Sequence, residues 1–308
     1  MTSSTPKLSL GPVPYYWPRD TLLEFYERVT ATPVDIVYLG ETVCAKRRSL
    51  NKMEWLELAG RLQAAGKEVV FSTLTLLEAG SELGSLKRLC QQQDYLVEAN
   101  DMAAVQQLSG SQPFVSGPAI NIYNAHTLSK LAELGLRRWV MPVELSRDTL
   151  ADMQAQRPSG VATEVFVYGR LPLAYSARCF TARAHNLPKD DCQSRCLDYP
   201  DGLLLSTRED EPFLVLNGIQ TQSAKSINLI SELEDLRVLG VDVLRISPQS
   251  MHTEHIIETF HNCLQDAAAV TRAVAELDKV MPLGSCNGYW HGAAGMETCN
   301  TEQSCHPQ

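Results

Sequence analysis

An α/β fold is predicted, a (βα)8 TIM-like barrel with a cysteine-rich loop and a hairpin inserted after the seventh strand, and three observations predict it. Short apolar runs rich in β-branched and aromatic residues recur eight times. Longer stretches with apolar residues at helical spacing separate them. Late in the chain the alternation is broken once, by a segment that fits neither pattern.

The first run, KLSLGP from Lys7, precedes the helical stretch TLLEFYERV, and DIVYLG from Asp35 precedes MEWLELAGRLQAAG. EVVFST from Glu68 is followed by SELGSLKRLC, and YLVEAN from Tyr95 by DMAAVQQL. PFVSGP from Pro113 leads to NAHTLSKLAELG, and RRWVMP from Arg137 to SRDTLADMQA. Several helical stretches begin at Ser, Asp or Asn, which cap the free N–H groups of a first turn, and several stop at Gly. TEVFVYG from Thr163 and DVLRIS from Asp242 are the seventh and eighth strands. A doubly wound sheet gives a similar alternation, but the count of eight suits a barrel better, and no fixed repeat points to a solenoid.

After the seventh strand the chain enters a loop, 169–202, and then GLLLSTREDEPFLVLNGIQ, a hairpin over 203–220 that turns at the charged stretch from Arg208 to Pro212. Residues 1–280 are therefore read as the barrel with its insertion, and 281–308 as a C-terminal tail segment. Loops that follow strands build the active face of such a barrel, so this excursion is read as a functional element.

The 308 residues are 44% hydrophobic and 20% charged, an ordinary balance for a globular chain. No basic stretch followed by an apolar one opens the sequence, and no uncharged apolar run approaches ~18 residues, so neither export nor a membrane span is expected. A cytoplasmic, reducing location follows, in which nine cysteines serve as metal ligands or buried residues rather than disulfides. The net charge of −9 disfavours a nucleic-acid partner, because such affinity comes mainly from basic side chains.

Cys179, Cys192 and Cys196 lie in the inserted loop, where no element pattern explains them as core, and they read as ligands of zinc or of an iron–sulfur cluster. Cys44 stands four residues beyond Gly40, just after the second strand, so a barrel brings it to the same mouth as a fourth ligand. A competing set is Cys286, Cys299 and Cys305 with His291 and His306, in a polar terminal segment. Cys90 and Cys263 sit within helix patterns and read as buried apolar residues.

Polar residues at the predicted strand ends are Glu41, Glu98, Asn100, Asn121, Asn124, Glu144, Arg170 and Arg245. Together at one mouth they suit an oxygen-rich anion; Glu41, Asn121, Asn124, Arg170 and Arg245 are the candidate substrate residues, with the two arginines as carboxylate clamps. The stretch MHTEHIIETFH lacks two histidines four apart and is no zinc-protease helix. No Ser/His/Asp or open zinc arrangement supports a peptidase, and the catalytic residues stay unassigned.

The runs YGRLPLAYSARC from Tyr168, NLPKDDCQSRC from Asn186, GPAINIYN from Gly117 and CNGYWHGAAGM from Cys286 resemble the collagenase-like peptidase family over almost the whole chain. The wider family reads H-G-x-x-C-x-x-Y-S-G-R-C in the first motif, whereas Pro172 replaces its first cysteine here and Ala177 its glycine. That departure resembles a branch of ubiquinone biosynthesis with a ligand near the second strand and a loop of the form C-x12-C-x3-C, matched by Cys44, Cys179, Cys192 and Cys196. The resemblance implies a 4Fe-4S cluster, a heterodimer with a UbiU-like sister subunit, a lipid-carrier accessory protein, and oxygen-independent hydroxylation of the ubiquinone precursor ring. Related members hydroxylate RNA bases with prephenate as oxygen source, which makes prephenate the expected donor. A noncatalytic electron-relay or scaffold subunit is the alternative, with a peptidase or RNA-base hydroxylase of the same family a further one, and a cluster with four cysteine ligands suits electron transfer because it leaves no open iron.

Overall fold

Parallel strands buried on both faces need helices outside them and a filled interior, and the chain supplies both. The computed structural model describes residues 5–299. In chain order its first elements are β1 (Lys7–Leu10), α1 (Arg19–Thr30), β2 (Ile36–Leu39), α2 (Lys52–Ala64), β3 (Glu68–Ser72) and α3 (Gly80–Cys90). Then come β4 (Leu96–Ala99), α4 (Met102–Leu108), β5 (Phe114–Ser116), α5 (Ala125–Glu133), β6 (Leu136–Val140), α6 (Arg147–Ala155) and β7 (Ala162–Tyr175). The excursion holds α7 (Phe180–Ala184), β8 (Leu203–Ser206), β9 (Pro212–Asn217) and β10 (Gln220–Asn228). After α8 (Leu233–Val238) and β11 (Val243–Ile246) follow α9 (Thr253–Gln265), α10 (Val270–Asp278) and β12 (Ser285–Cys286).

Strands β1 to β7 pair in sequence order, all parallel, and β11 pairs with both β7 and β1, which closes an eight-stranded barrel. All eight runs read as barrel strands occupy these positions. Alternation sorts the side chains: Leu8, Leu10, Val37, Leu39, Val69 and Phe71 belong to the layer under the helices, while Ile36, Tyr38, Val70, Val115, Val140 and Val243 form a separate cluster within the barrel. Asn51, Asp101, Asn124 and Ser146 cap α2, α4, α5 and α6 by accepting first-turn N–H groups.

The barrel interior also holds a charge network. Arg245, 2% exposed, donates to Glu164 Oε1 and to Glu98 Oε1, each at 2.7 Å, and its guanidinium carbon lies 4.0 Å from the Tyr38 ring centroid. Glu164 also accepts from Ser9 Oγ at 2.6 Å and from Tyr38 OH at 2.5 Å, and Ser72 Oγ donates to Glu98 at 2.6 Å. Burial alone would push the Glu164 carboxyl up; Arg245 and Arg138 outweigh it and hold the group below its ordinary value.

Two features exceed the sequence expectation. Strand β7 runs 14 residues, past the barrel rim to Tyr175, and its extension pairs antiparallel with β10. The inserted hairpin of β8 and β9 is thereby the outer part of a three-stranded antiparallel sheet, because β10 continues to Asn228 instead of ending at 220. The C-terminal segment is tied back as well: β12 pairs with β10, and Trp290 is 2% exposed with its carbonyl accepting from Arg147 N at 2.9 Å. Cys305 and His306 of the competing ligand set lie outside the described residues; Cys286 and Cys299 are buried.

Replacing Glu164 by Gln leaves Arg245 short of a counter-charge inside the barrel, and urea denaturation at pH 7 is expected to show a loss of about 3–5 kcal/mol. Since the folded-state pKa of Glu164 is depressed, its contribution is present above the unfolded value of about 4.3 and disappears as pH falls through the folded value. The stability gap between wild type and Glu164→Gln should therefore narrow only in acid below that range.

Candidate metal centre at the barrel mouth

Gly40 ends β2 at a φ of +120°, and a Cβ there would stand 2.7 Å from the Ser72 carbonyl oxygen, so the strand can turn off the barrel rim only as glycine. The turn that follows is held by Glu41, whose carboxylate accepts from Val43 N at 2.8 Å and Cys44 N at 3.0 Å. Cys44 is thus presented by a side-chain-capped turn. Burial raises the Glu41 carboxyl, opposed by Arg47 and these two N–H donors.

Cys179 precedes α7, and its sulfur accepts from Ala182 N at 3.4 Å. Cys192 follows a 3-10 turn over Lys189–Asp191, and Cys196 lies in another over Arg195–Asp198. Between them Gln193 and Ser194 take φ values of 50° and 53°, two successive left-handed residues that reverse the chain sharply. All four cysteines are half-buried.

The Cys44 thiol lies within charge-interaction range of Cys179, Cys196 of both Cys44 and Cys179, and Lys46 of both Cys44 and Cys192. Burial pushes the Cys44 and Cys196 thiols up; a backbone N–H of Lys46 and the Arg47 charge pull Cys44 back, and Arg47 does the same for Cys196. Among the described residues, no three His, Cys, Asp or Glu side chains are gathered so as to hold a metal ion as they stand.

Two basic residues missing from the sequence reading interact with these cysteines, Arg47 with Cys44 and Cys196 and Lys46 with Cys44 and Cys192. Arg47, whose side chain is 1% exposed, donates to the Pro14 carbonyl at 2.6 Å and to Asn217 Oδ1 at 2.7 Å, lies 3.8 Å from Glu41 Oε1 and interacts with the Cys196 sulfur. Its buried Nε has no hydrogen-bond partner among the described residues. Lys46 Nζ donates to the Lys189 carbonyl at 2.8 Å and to Asp190 at 3.0 Å, which fastens the Cys44 turn to the Cys192 segment. The basic run KRR, which begins two residues after Cys44, is the signal that could have found them.

The donor chemistry fits an iron–sulfur group. Four soft sulfurs, N–H donors to Cys44 and Cys179, and a buried cation with an orphaned Nε would together stabilise an anionic thiolate assembly. Thiolates are donors for zinc as well, with Zn–S bonds of about 2.3 Å.

Of the candidate substrate residues, Arg170 and Arg245 line one cavity of about 50 Å³ above the barrel interior, with Glu98, Asn100, Tyr175 and Gln222. The buried Nη2 of Arg245 has no hydrogen-bond partner among the described residues. Arg170 Nη1 donates to the Asp201 carbonyl at 2.5 Å. Glu41 faces a different, larger pocket between α2 and α3. Asn121 is exposed, and Asn124 caps α5 through Thr127 N at 2.9 Å; neither lines the Arg170 and Arg245 cavity.

Arg47→Met removes two charge-assisted bonds and leaves the Pro14 and Asn217 oxygens without that donor. A loss of about 3 kcal/mol in urea unfolding is expected, together with faster proteolytic cutting in the 207–211 turn as the β9–β10 sheet loosens.

The sequence matches the family model described as Peptidase family U32 over residues 23–300. One similar protein is the tRNA hydroxylation protein P of Haemophilus influenzae (strain ATCC 51907 / DSM 11121 / KW20 / Rd), 36% identical over 76 residues; the matched stretch is 25% of this chain and only 16% of that protein. Among solved structures, the U32 peptidase Mk0906 superposes with a TM-score of 0.45 at 10% identity, over 81% of this chain and 95% of that one. Dihydropteroate synthase (FolP) from Thermus thermophilus gives 0.41 at 12% identity, over 86% and 94%. With the family model spanning nearly the whole barrel and every cysteine of the mouth, the chain belongs to peptidase family U32.

Proposed function

We propose that the chain is the UbiV-like iron–sulfur subunit of an oxygen-independent hydroxylase, acting with a UbiU-like sister subunit on the ubiquinone precursor ring in the cytoplasm. The observation that supports the reading is the electrostatic interaction of the Cys44 thiol with Cys179 and Cys196, and of the buried Arg47 with Cys44 and Cys196. The relative named as a tRNA hydroxylation protein supports hydroxylation as the family chemistry. The net charge of −9 favours a small-molecule acceptor over RNA.

In this reading Cys44, Cys179, Cys192 and Cys196 hold a 4Fe-4S cluster, which supplies one-electron transfer when bound. Arg47 balances the charge of the thiolates, and Glu41 fixes the turn that presents Cys44. Arg170 and Arg245 anchor a carboxylate of the oxygen donor, for which prephenate is the expected compound; the unpartnered Nη2 of Arg245 supports this. At about 50 Å³ the cavity accepts a carboxylate group and leaves the rest of such a donor toward the mouth. Tyr175, its pKa pushed up to about 12 by burial, stays a neutral phenol able to donate to the bound anion. A lipid-carrier accessory protein would deliver the apolar acceptor.

No helix among the described residues is long and apolar enough to cross a membrane. The peptidase reading lacks an activated nucleophile among the described residues. A relay or scaffold subunit would hold the same cluster and differ only in where substrate binds.

Purified without oxygen, the wild type is expected to be brown, with iron and acid-labile sulfide in equal amounts of about four per chain. Ser replacements of Cys44, Cys179, Cys192 and Cys196, one at a time, should each lower iron retention and abolish ring hydroxylation in the reconstituted pair. Cys90→Ser and Cys263→Ser should retain both. Colourless protein with one equivalent of zinc, or full iron in Cys44→Ser, would overturn the proposal.

A further inference from the structure

Helix α2 packs on α1 and α3 on α4, and a pocket of about 490 Å³ lies between α2 and α3. Its walls are Trp55 and Leu56 of α2, Phe71 of β3, Leu77 of the following loop, and Leu86 and Leu89 of α3. Trp55, Leu56, Leu77 and Leu89 are only half-buried. Apolar side chains that face a void of this size keep their surface in water, at about 25 cal/mol for each Å² left uncovered. The volume is that of a small-molecule site, where a peptide helix would need a longer, open groove.

The polar groups at the pocket select the occupant. Lys52 and Arg88 stand at its edge, and neither forms an ion pair with a carboxylate among the described residues; Arg88 donates only to Ser85 Oγ at 2.9 Å. Of the three acidic residues that line it, Glu82 is committed to the Glu78 and Ala79 N–H groups at the start of α3, and Glu41 to those of Val43 and Cys44. Asp94 is the one remaining carboxylate of the lining against two cations. The inner end, at Gly40 and Glu41, is the turn that carries Cys44.

We infer that the pocket between α2 and α3 binds an amphiphilic organic anion, an apolar ring or chain bearing one acidic group, with the apolar part against Trp55, Leu77 and Leu89 and the acidic group beside Lys52 and Arg88. Only the further step, that this ligand is the hydroxylation acceptor held beside Cys44, rests on the function proposed above. Binding itself stands apart from it.

The test uses two fluorescent probes on the full chain, 8-anilinonaphthalene-1-sulfonate and its neutral analogue N-phenyl-1-naphthylamine. The folded wild type should bind the sulfonate at one saturable site, and Leu77→Trp, which fills the pocket, should weaken it at least about tenfold, or 1.4 kcal/mol. Leu89→Trp repeats the test from the opposite wall should Leu77→Trp fail to give a native urea transition. Lys52→Glu with Arg88→Glu should remove the sulfonate's advantage over the neutral probe. Sulfonate binding unchanged by both tryptophan variants, or equal affinity for the two probes in the wild type, overturns the inference. Cys44→Ser, which tests the hydroxylase reading through its iron content, should bind the sulfonate as the wild type does; failure of the iron test with probe binding intact would remove that reading and uphold the pocket.

Discussion

One buried guanidinium fixes the architecture of the mouth. Arg47 bonds to the segment after β1 through Pro14 and to the excursion sheet through Asn217, and it lies beside both Glu41 and Cys196. A buried arginine is tolerated only if its charge and donors are met, and here three chain segments must be in register to meet them. Gly218 shows how tight that register is: a Cβ there would stand 2.9 Å from Arg47 Nη2, at a φ of +66° that already favours glycine. The same glycine accepts from Phe180 N at 2.8 Å and donates to Thr181 Oγ1 at 2.9 Å, so the residue that makes room for Arg47 also sets the position of the helix next to Cys179.

The barrel below supplies a rigid base with charge at its centre. Ser9, Glu98, Glu164 and Arg245 occupy inward positions where aliphatic side chains would pack well, and the hydrogen bonds among them are nearly complete. Such an arrangement gives little net stability relative to an apolar core, but it specifies where each strand sits, because a slip of one residue would turn a charge outward. It also leaves Arg245 Nη2 unpartnered at the floor of the upper cavity.

The barrel was legible in the sequence because its signals are local: period-2 runs, helical spacing and Asn, Asp and Ser caps each occupy one segment, as at Asn51 and Asp101. The place of Cys44 at the rim, just after β2, was also legible, since strand order in a barrel converts a place after β2 into a place at the mouth. Other features were not. The third strand, β10, reads QTQSAKSIN, with few apolar residues to mark it, and it exists because β7 overruns the rim and offers an edge. Arg47 reads as one of several surface cations until folding buries it. Asn124, read with the mouth residues, is held by its own helix, where a short-range cap outcompetes a long-range role.

These local and distant constraints meet in the five residues from Gly40 to Cys44. Thr42 lines the cavity that holds Arg170 and Arg245, Gly40 and Glu41 line the pocket between α2 and α3, and Cys44 interacts electrostatically with Cys179. A turn that leaves the rim at Gly40, with its φ of +120°, lets a stretch this short wall two cavities and still carry a cysteine at its end. Glu41 joins the three surroundings, since the carboxylate that lines the outer pocket is the one that holds the Cys44 N–H. Any ligand that displaced that carboxylate would release the Cys44 turn, and any shift of Cys44 would be felt at Glu41, because one hydrogen-bond acceptor serves both.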